Sequence, residues 1–462
     1  MIRELNEQDI LFNNSLRTQD EFINDLTLGY VYLGYFLEDQ LVSFINYIEL
    51  VDVIEDHFVF TDPEHRNKGY ALALFKYLIN NSKKKIIIEV NTHNKAAISL
   101  YEKLGFKNLN IREKYYDDDD ALVMVKEPDV IVLAIETSCD ETSVSIIKNG
   151  NEELGTVVLS QMDIHKDYGG VVPEIASRNH TENITLVIAE CLERANLKLN
   201  NITDIAVAYG PGLIGALLVG LQSAKTLSMV LNKPLIPVHH IAGHIYANNL
   251  MSPMQFPLIA LVVSGGHTEL ILMTGHYQFK RLGSTLDDAV GEAYDKVARV
   301  MHLPYPGGPQ IDRLAKLGKN TYPLPTPLDD ETYNFSFSGL KSAVINLSNT
   351  MKMKKEPINI ENLATSFQTR VVNILVKKTL KAMQDYQVNN LVIAGGVAAN
   401  TALREAFTIA CKDHNYNLTI PSFKYCTDNA AMIGAAAFYA KMAGKTSDLL
   451  LNSVSSEELT NM

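Results

Sequence analysis

The clearest pattern in the chain is an unbroken apolar run, Val130-Ile131-Val132-Leu133-Ala134-Ile135, which reads as a strand buried on both faces. It stops at Glu136-Thr137-Ser138-Cys139-Asp140-Glu141-Thr142-Ser143 and resumes at Val144 to Ile147, predicting a β-hairpin whose tip carries hydroxyls and two carboxylates. The pattern recurs in strand Leu258 to Val263, tip Ser264-Gly265-Gly266-His267-Thr268 and return strand Glu269 to Leu272. A third glycine turn, Ala394 to Asn400, follows strand Leu391 to Ile393 and precedes a helix. Two strand–turn–strand units and a late Gly-Gly turn predict a duplicated α/β fold clasping a nucleotide between two lobes. Small residues at the tips let backbone amides reach phosphates.

The first part of the chain has a different rhythm. Phe58 to Pro63 predicts a strand ending in a turn, and the basic loop Arg66-Asn67-Lys68-Gly69-Tyr70-Ala71 leads into the helical spacing of Leu72, Leu74, Phe75, Leu78 and Ile79. A helix start of this kind attracts phosphate through its free N–H groups and dipole. Strand Ile86 to Val90 and a polar break at Asn91 to Asn94 precede a helix, Lys95 to Leu104, that Gly105 stops. Ala121 to Val125 reads as a closing strand, and Lys126 to Asp129 as a tight connection without a Gly/Ser linker. The expected division is residues 1–127, residues 129–445 in two lobes, and a polar tail, 446–462, that frays. Lys352 to Pro357 reads as a charged loop, the acidic run Asp117 to Asp120 as a solvated one, and Lys377 and Lys378 as solvated helix residues.

His240 and His244 are four residues apart, so a helix would place both imidazoles on one face. With the carboxylate of Asp428 they would fill three positions of a metal and leave others open for Lewis-acid chemistry. A bare pair at this spacing is more often a cap or a satisfied core pair; the surrounding sequence favours the metal.

Composition narrows the field. The chain has 462 residues, 47% hydrophobic and 20% charged, a soluble globular balance sufficient for two or three domains. No run of eighteen apolar residues suggests a membrane span, and four scattered cysteines without a C-x-x-C fit a reducing cytoplasm. Net charge is −12: residues 1–128 carry 14 Lys+Arg against 22 Asp+Glu, the rest 27 against 31. Neither part has the basic surplus of a protein that grips nucleic acid unaided.

The block Thr61 to Phe106, including Asn94-x-x-Ala97-x-x-Leu100-Tyr101-Glu102-x-x-Gly105-Phe106, resembles the GNAT acetyltransferases. Ile111-Arg112-x-x-Tyr115-Tyr116 makes it similar to the RimI branch, which acetylates a ribosomal protein N-terminus. The resemblance implies a mixed sheet with flanking helices that binds acetyl-CoA through Val59, Phe60, Thr61, Asn67, Lys68, Gly69, Tyr70, Ala71, Leu72 and Asn94. It implies Glu89 as general base and Tyr101 as the acid for the departing thiolate. Ala71 stands where a second glycine is usual.

Beyond residue 129 the chain resembles the actin-like ATPase superfamily and, within it, the TsaD family, which makes threonylcarbamoyladenosine in tRNA beside the anticodon. The matching blocks run from Glu136 to Thr142, His165 to His180 and Gly210 to Gly220, through His240 to His244, Ser264 to Thr268, Asp287 to Lys296 and Pro306 to Asp312, to Phe335 to Lys341, Gly395 to Asn400 and Cys426 to Asn429. The resemblance implies one iron or zinc ion on His240, His244 and Asp428. It places threonylcarbamoyl-AMP on Val262, Val263, Ser264, Gly265, Gly266, Asp295, Gly308, Asp312 and Asn400, with Asp140 as candidate base. His165, His180 and His267 read as structural or supporting residues. Implied partners are tRNA, TsaB-like and TsaE-like proteins and a ribosomal protein N-terminus, with no membrane. Two other readings compete. A metallopeptidase would need a carboxylate between the histidines, where this chain has Ile241-Ala242-Gly243. A nucleotide-switched scaffold would pair with a degenerate acetyl-CoA-binding module.

Overall fold

β-branched and aromatic runs build three sheets, which fall into two units, Met1–Asp129 and Val130–Met462. A computed structural model of the chain describes residues 1–9, 18–116, 118–326 and 328–460; Asp117 of the acidic run and the last two residues of the tail lie outside these.

In the first unit one seven-stranded sheet has the order Ile2–Glu4, Tyr30–Leu37, Gln40–Glu49, Val53–Thr61, Lys85–Asn91, Asp119–Lys126, Lys107–Tyr116. Val53–Thr61 and Lys85–Asn91 are parallel, and their ladder runs only from Val53↔Lys85 to Asp56↔Ile88. At the same place His57 is an extra, bulged residue between the pairs Asn46↔Phe58 and Tyr47↔Asp56, which bends Val53–Thr61. Helices Tyr70–Asn81 and Lys95–Lys103 bury Leu74, Phe75, Leu78 and Tyr101 against Ile45, Ile54 and Ile88. Gly69 starts the first of these helices at φ 85°, a left-handed conformation that disfavours a side chain.

The second unit holds two five-stranded sheets of one topology. The first runs Glu152–Ser160, Glu141–Lys148, Ile131–Glu136, Asp204–Gly210, Leu235–His239; the second runs Gln278–Ser284, Thr268–Gly275, Leu258–Val263, Asn390–Ala394, Asn417–Thr419. In each, three antiparallel strands are followed by two parallel ones. This is the duplication that the repeated strand–tip–strand pattern predicts. Between the sheets lies a shared core in which Val132 and Ala206 of the first and Ala260 and Val392 of the second meet helices His240–Tyr246 and Ala430–Met442. Small residues allow the fit: a Cβ on Gly243 would lie 2.7 Å from Ile433 Cδ1, and one on Gly434 2.5 Å from Ile147 Cγ1. Helix Ile214–Leu231, mean hydropathy 1.5, is long and apolar enough by composition to cross a membrane. Here it buries Leu217, Leu221 and Ala224, and Gly220 N–H donates to Thr137 Oγ1 at 3.2 Å.

Three expectations need correction. Residues 352–354 are the last turn of helix Ser338–Lys354, not a loop. Lys378 is 1% exposed and donates to Asp330 Oδ1 at 2.7 Å and Thr332 O at 2.9 Å, so it is a satisfied core lysine. The tail docks through residue 460: Val454 N–H donates to Tyr209 O, Tyr209 Oη to Glu457 Oε2 at 2.5 Å, and Leu459 is buried.

Candidate metal and nucleotide site

The short helix His240–Tyr246 begins where strand Leu235–His239 ends, and His239 caps it by accepting from Ile241 N–H at 3.2 Å. One turn separates the two imidazoles, whose ring centroids stand 4.7 Å apart at 80°. Asp428 comes in from the loop before helix Ala430–Met442, which Asn429 caps. Its Oδ1 lies 3.5 Å from His240 Nε2 and 3.2 Å from His244 Nε2. Three donor atoms, one from each residue, fall within 4.8 Å of one another.

The donor set fits a single cation. Among the described residues neither buried ring nitrogen of His244 has a hydrogen-bond partner, and His244 Nε2 faces the carboxylate outside hydrogen-bond geometry. His240 Nδ1 donates to Glu136 Oε2 at 3.0 Å and lies 3.1 Å from Ser138 Oγ, which leaves Nε2 for a metal. Burial disfavours a charged His240, but the Glu136 and Asp428 carboxylates outweigh it and raise its pKa well above the ordinary imidazole value. Burial likewise opposes ionised Asp428, and the two imidazoles overcome it and lower its pKa. A bound cation would take over the balancing that the imidazolium does here. His267 is pushed down to about 4 by burial and by both histidines, so it is neutral.

The hairpin tip stands beside this cluster. Asp140 is 9% exposed, and Glu141 is pushed up to about 9 by burial and then by the charges of Asp428 and Asp140. His180 supports the tip through Thr142 Oγ1 at 2.7 Å and Cys139 O at 3.0 Å.

A cavity of about 520 Å³ opens between the lobes, with Thr427, the neighbour of Asp428, in its wall and Met162 on the first-lobe side. Gly265, Asp295, Gly308, Asp312 and Asn400 line it, five of the nine expected adenylate residues. Asp295 accepts Gly307 N–H at 2.7 Å, and its carboxyl is raised by burial despite that bond. Asp312 accepts Thr401 Oγ1 at 2.9 Å and Gln368 Nε2 at 3.2 Å; Asn400 donates to Gln368 Oε1 at 2.8 Å. The remaining four lie outside the wall. Val262 and Val263 have no exposed surface because both faces of their strand are covered. Ser264 is spent on the turn, accepting from His267 and Gly291 N–H. Nothing lies within 4 Å of a Cβ built on Gly266, Gly308 or Gly396, so these backbones are open to a ligand.

In the first unit Glu89 is ion-paired to Arg112 Nη1, and its backbone carbonyl accepts from Tyr116 Oη at 3.2 Å. Tyr101 is 4% exposed and packs edge-on to Phe75 at 5.3 Å; burial raises its phenol well above the ordinary value. Arg66 to Gly69 are accessible ahead of helix Tyr70–Asn81. Asn94 caps its helix, accepting from Ala97 N–H at 3.1 Å.

Glu136 and Gln368 were missed as functional positions. Glu136 begins the hairpin tip, but nothing in spacing ties it to His240, 104 residues on.

The duplicated two-lobed α/β fold with its cleft, preceded in the chain by a separate mixed-sheet α/β unit, defines a two-domain α/β protein. Residues 152–435 match the family model for TsaD, tRNA N6-adenosine threonylcarbamoyltransferase, and residues 2–106 match the acetyltransferase (GNAT) family. The chain belongs to the tRNA N6-adenosine threonylcarbamoyltransferase family and is an acyltransferase. It is 59% identical over 325 residues to the Staphylococcus haemolyticus enzyme of that name, covering 70% of this chain and 95% of the relative. The Staphylococcus carnosus enzyme is 57% identical over 332 residues, 72% and 97% covered. Among solved structures, the chain is similar to ribosomal-protein-S18-alanine N-acetyltransferase from Escherichia coli (26% identity, 24% of this chain and 77% of that one, TM-score 0.23). It is similar also to HypF from T. kodakarensis (14% identity, 70% and 49%, TM-score 0.48).

Proposed function

We propose that the second unit moves a threonylcarbamoyl group from threonylcarbamoyl-AMP to the exocyclic amine of the tRNA adenosine beside the anticodon. The observation that carries this reading is the convergence of His240, His244 and Asp428 at one end of an inter-lobe cavity lined by Asp295, Asp312 and Asn400. The adenylate lies in that cavity, its phosphate against the open backbones of Gly265, Gly308 and Gly396, and its ribose or threonine donors toward Asp295 and Asp312. His240, His244 and Asp428 would hold iron or zinc, which when bound would polarise the acyl carbonyl as a Lewis acid. Asp140, close by on the hairpin tip, takes the proton of the attacking amine. The 27:31 charge balance of this part supports TsaB-like and TsaE-like partners that help hold tRNA.

The first unit acetylates a peptide N-terminus, such as that of a ribosomal protein. Acetyl-CoA docks its phosphates on Arg66 to Gly69 and its pantetheine along Val59 to Thr61, with Glu89 and Tyr101 as base and acid.

The test is formation of the modified nucleoside by purified chain with tRNA, ATP, threonine, bicarbonate and partner proteins. The His240→Ala, His244→Ala double variant should form none. Full-rate modification by that variant would refute the metal's role.

A further inference from the structure

One buried carboxylate in the first unit has no structural partner. Asp56 is 8% exposed, accepts no hydrogen bond among the described residues, and its Oδ1 is enclosed. A carboxyl left this way lowers stability, and such groups persist where chemistry uses them. Its place in the sheet is telling. Asp56↔Ile88 is the last pair of the parallel ladder, at the fork beyond which Val53–Thr61 and Lys85–Asn91 are unpaired. Glu89 follows on the second prong, and on the first the bulged His57 follows Asp56 directly. Asp56 is paired with Tyr47 and Ile88, which share the core cluster of Tyr101. Its charge acts on both Tyr101 and Tyr116. Glu89, by contrast, is ion-paired to Arg112.

We propose that Asp56 is a further catalytic residue of acetyl transfer, taking the first proton from the incoming amine. This rests on reading the first unit as an acetyltransferase. The α-ammonium gives one proton to Asp56, and its nitrogen attacks the acetyl carbon. The C–N bond forms and the C–S bond breaks. Tyr101 protonates the departing thiolate, and the second nitrogen proton passes through Glu89 to the phenolate. Asp56 then returns its proton to solvent, so each turnover releases one proton, one amide and one thiol.

The experiment compares full-length wild type, Asp56→Asn, Asp56→Leu and Glu89→Gln. Thiol release is followed with acetyl-CoA and a short peptide bearing a free N-terminal alanine, alongside thermal melts with and without acetyl-CoA. Both Asp56 variants should lose about a hundredfold in kcat, with the KM for peptide within a few-fold. Their melts should be unchanged or higher, and acetyl-CoA should still raise them. A lowered melt with unchanged kcat would make Asp56 structural and overturn the proposal. Wild type that binds acetyl-CoA but acetylates no peptide would instead overturn the acetyltransferase reading, and the proposal with it.

Discussion

His240 Nδ1 donates to Glu136 Oε2 across 3.0 Å, and Glu136 has no surface exposed to solvent. Glu136 also accepts Ser138 N–H at 2.5 Å, so its carboxylate is fixed by the hairpin it belongs to. The contact sets which ring nitrogen of His240 faces Asp428. Glu136→Gln should therefore weaken metal binding by about 10- to 100-fold while preserving the fold. Chelator competition on metal-loaded protein measures this; unchanged affinity would mean that His240 needs no such anchor.

Asn400 does two jobs, accepting Leu403 N–H at 2.9 Å as a helix cap and donating to Gln368. Asn400→Ala should cost about 1 kcal/mol of stability through the lost cap. It should also weaken adenylate binding, because Gln368 in turn holds Asp312. Denaturant unfolding reads the first effect and the melting shift given by added AMP reads the second.

Gly395 has φ 94°, and a Cβ there would lie 2.4 Å from the Val263 carbonyl oxygen. Gly395→Ala should destabilise the second unit by about 1–3 kcal/mol and displace the turn that opens toward the cavity. Gly396, with nothing within 4 Å of its Cβ position, should accept alanine with little loss of stability but reduced AMP binding. Equal stability losses at the two positions would contradict the geometry.

Burial pushes the Asp56 carboxyl up to about 8. Folding thus favours the protonated form, so this contribution is full below the unfolded pKa of about 4 and is lost as pH rises through about 8. The acetyl-CoA-sensitive melting transition should fall between about pH 5 and about pH 9, and Asp56→Asn should flatten that fall. A transition equally pH-dependent in the variant would assign the effect elsewhere.

Much of this architecture is legible in local patterns. Val130 to Ile135 and Leu258 to Val263 announce buried strands by their continuous apolar character, and both are central strands of their sheets. His240 and His244 are legible because one helical turn brings them together. What local pattern does not carry is contact across long separations. Glu136 and His240 meet only once two strands and a helix have packed. The tail after 446 looks polar in isolation and is ordered by Tyr209 and by burial of Leu459. Lys378 is instructive in a different way. Its charge suggested solvent, yet it shares a helix face with the buried Val371, Leu375 and Ala382, a periodicity that pointed inward.

X-ray absorption on iron- or zinc-loaded protein reads out whether His240, His244 and Asp428 hold a cation at the end of the nucleotide cavity. The expected spectrum shows one ion per chain with two imidazole ligands and a carboxylate, a shell altered by adding AMP and lost in the His240→Ala, His244→Ala variant. An ion whose shell is the same in that variant would contradict it.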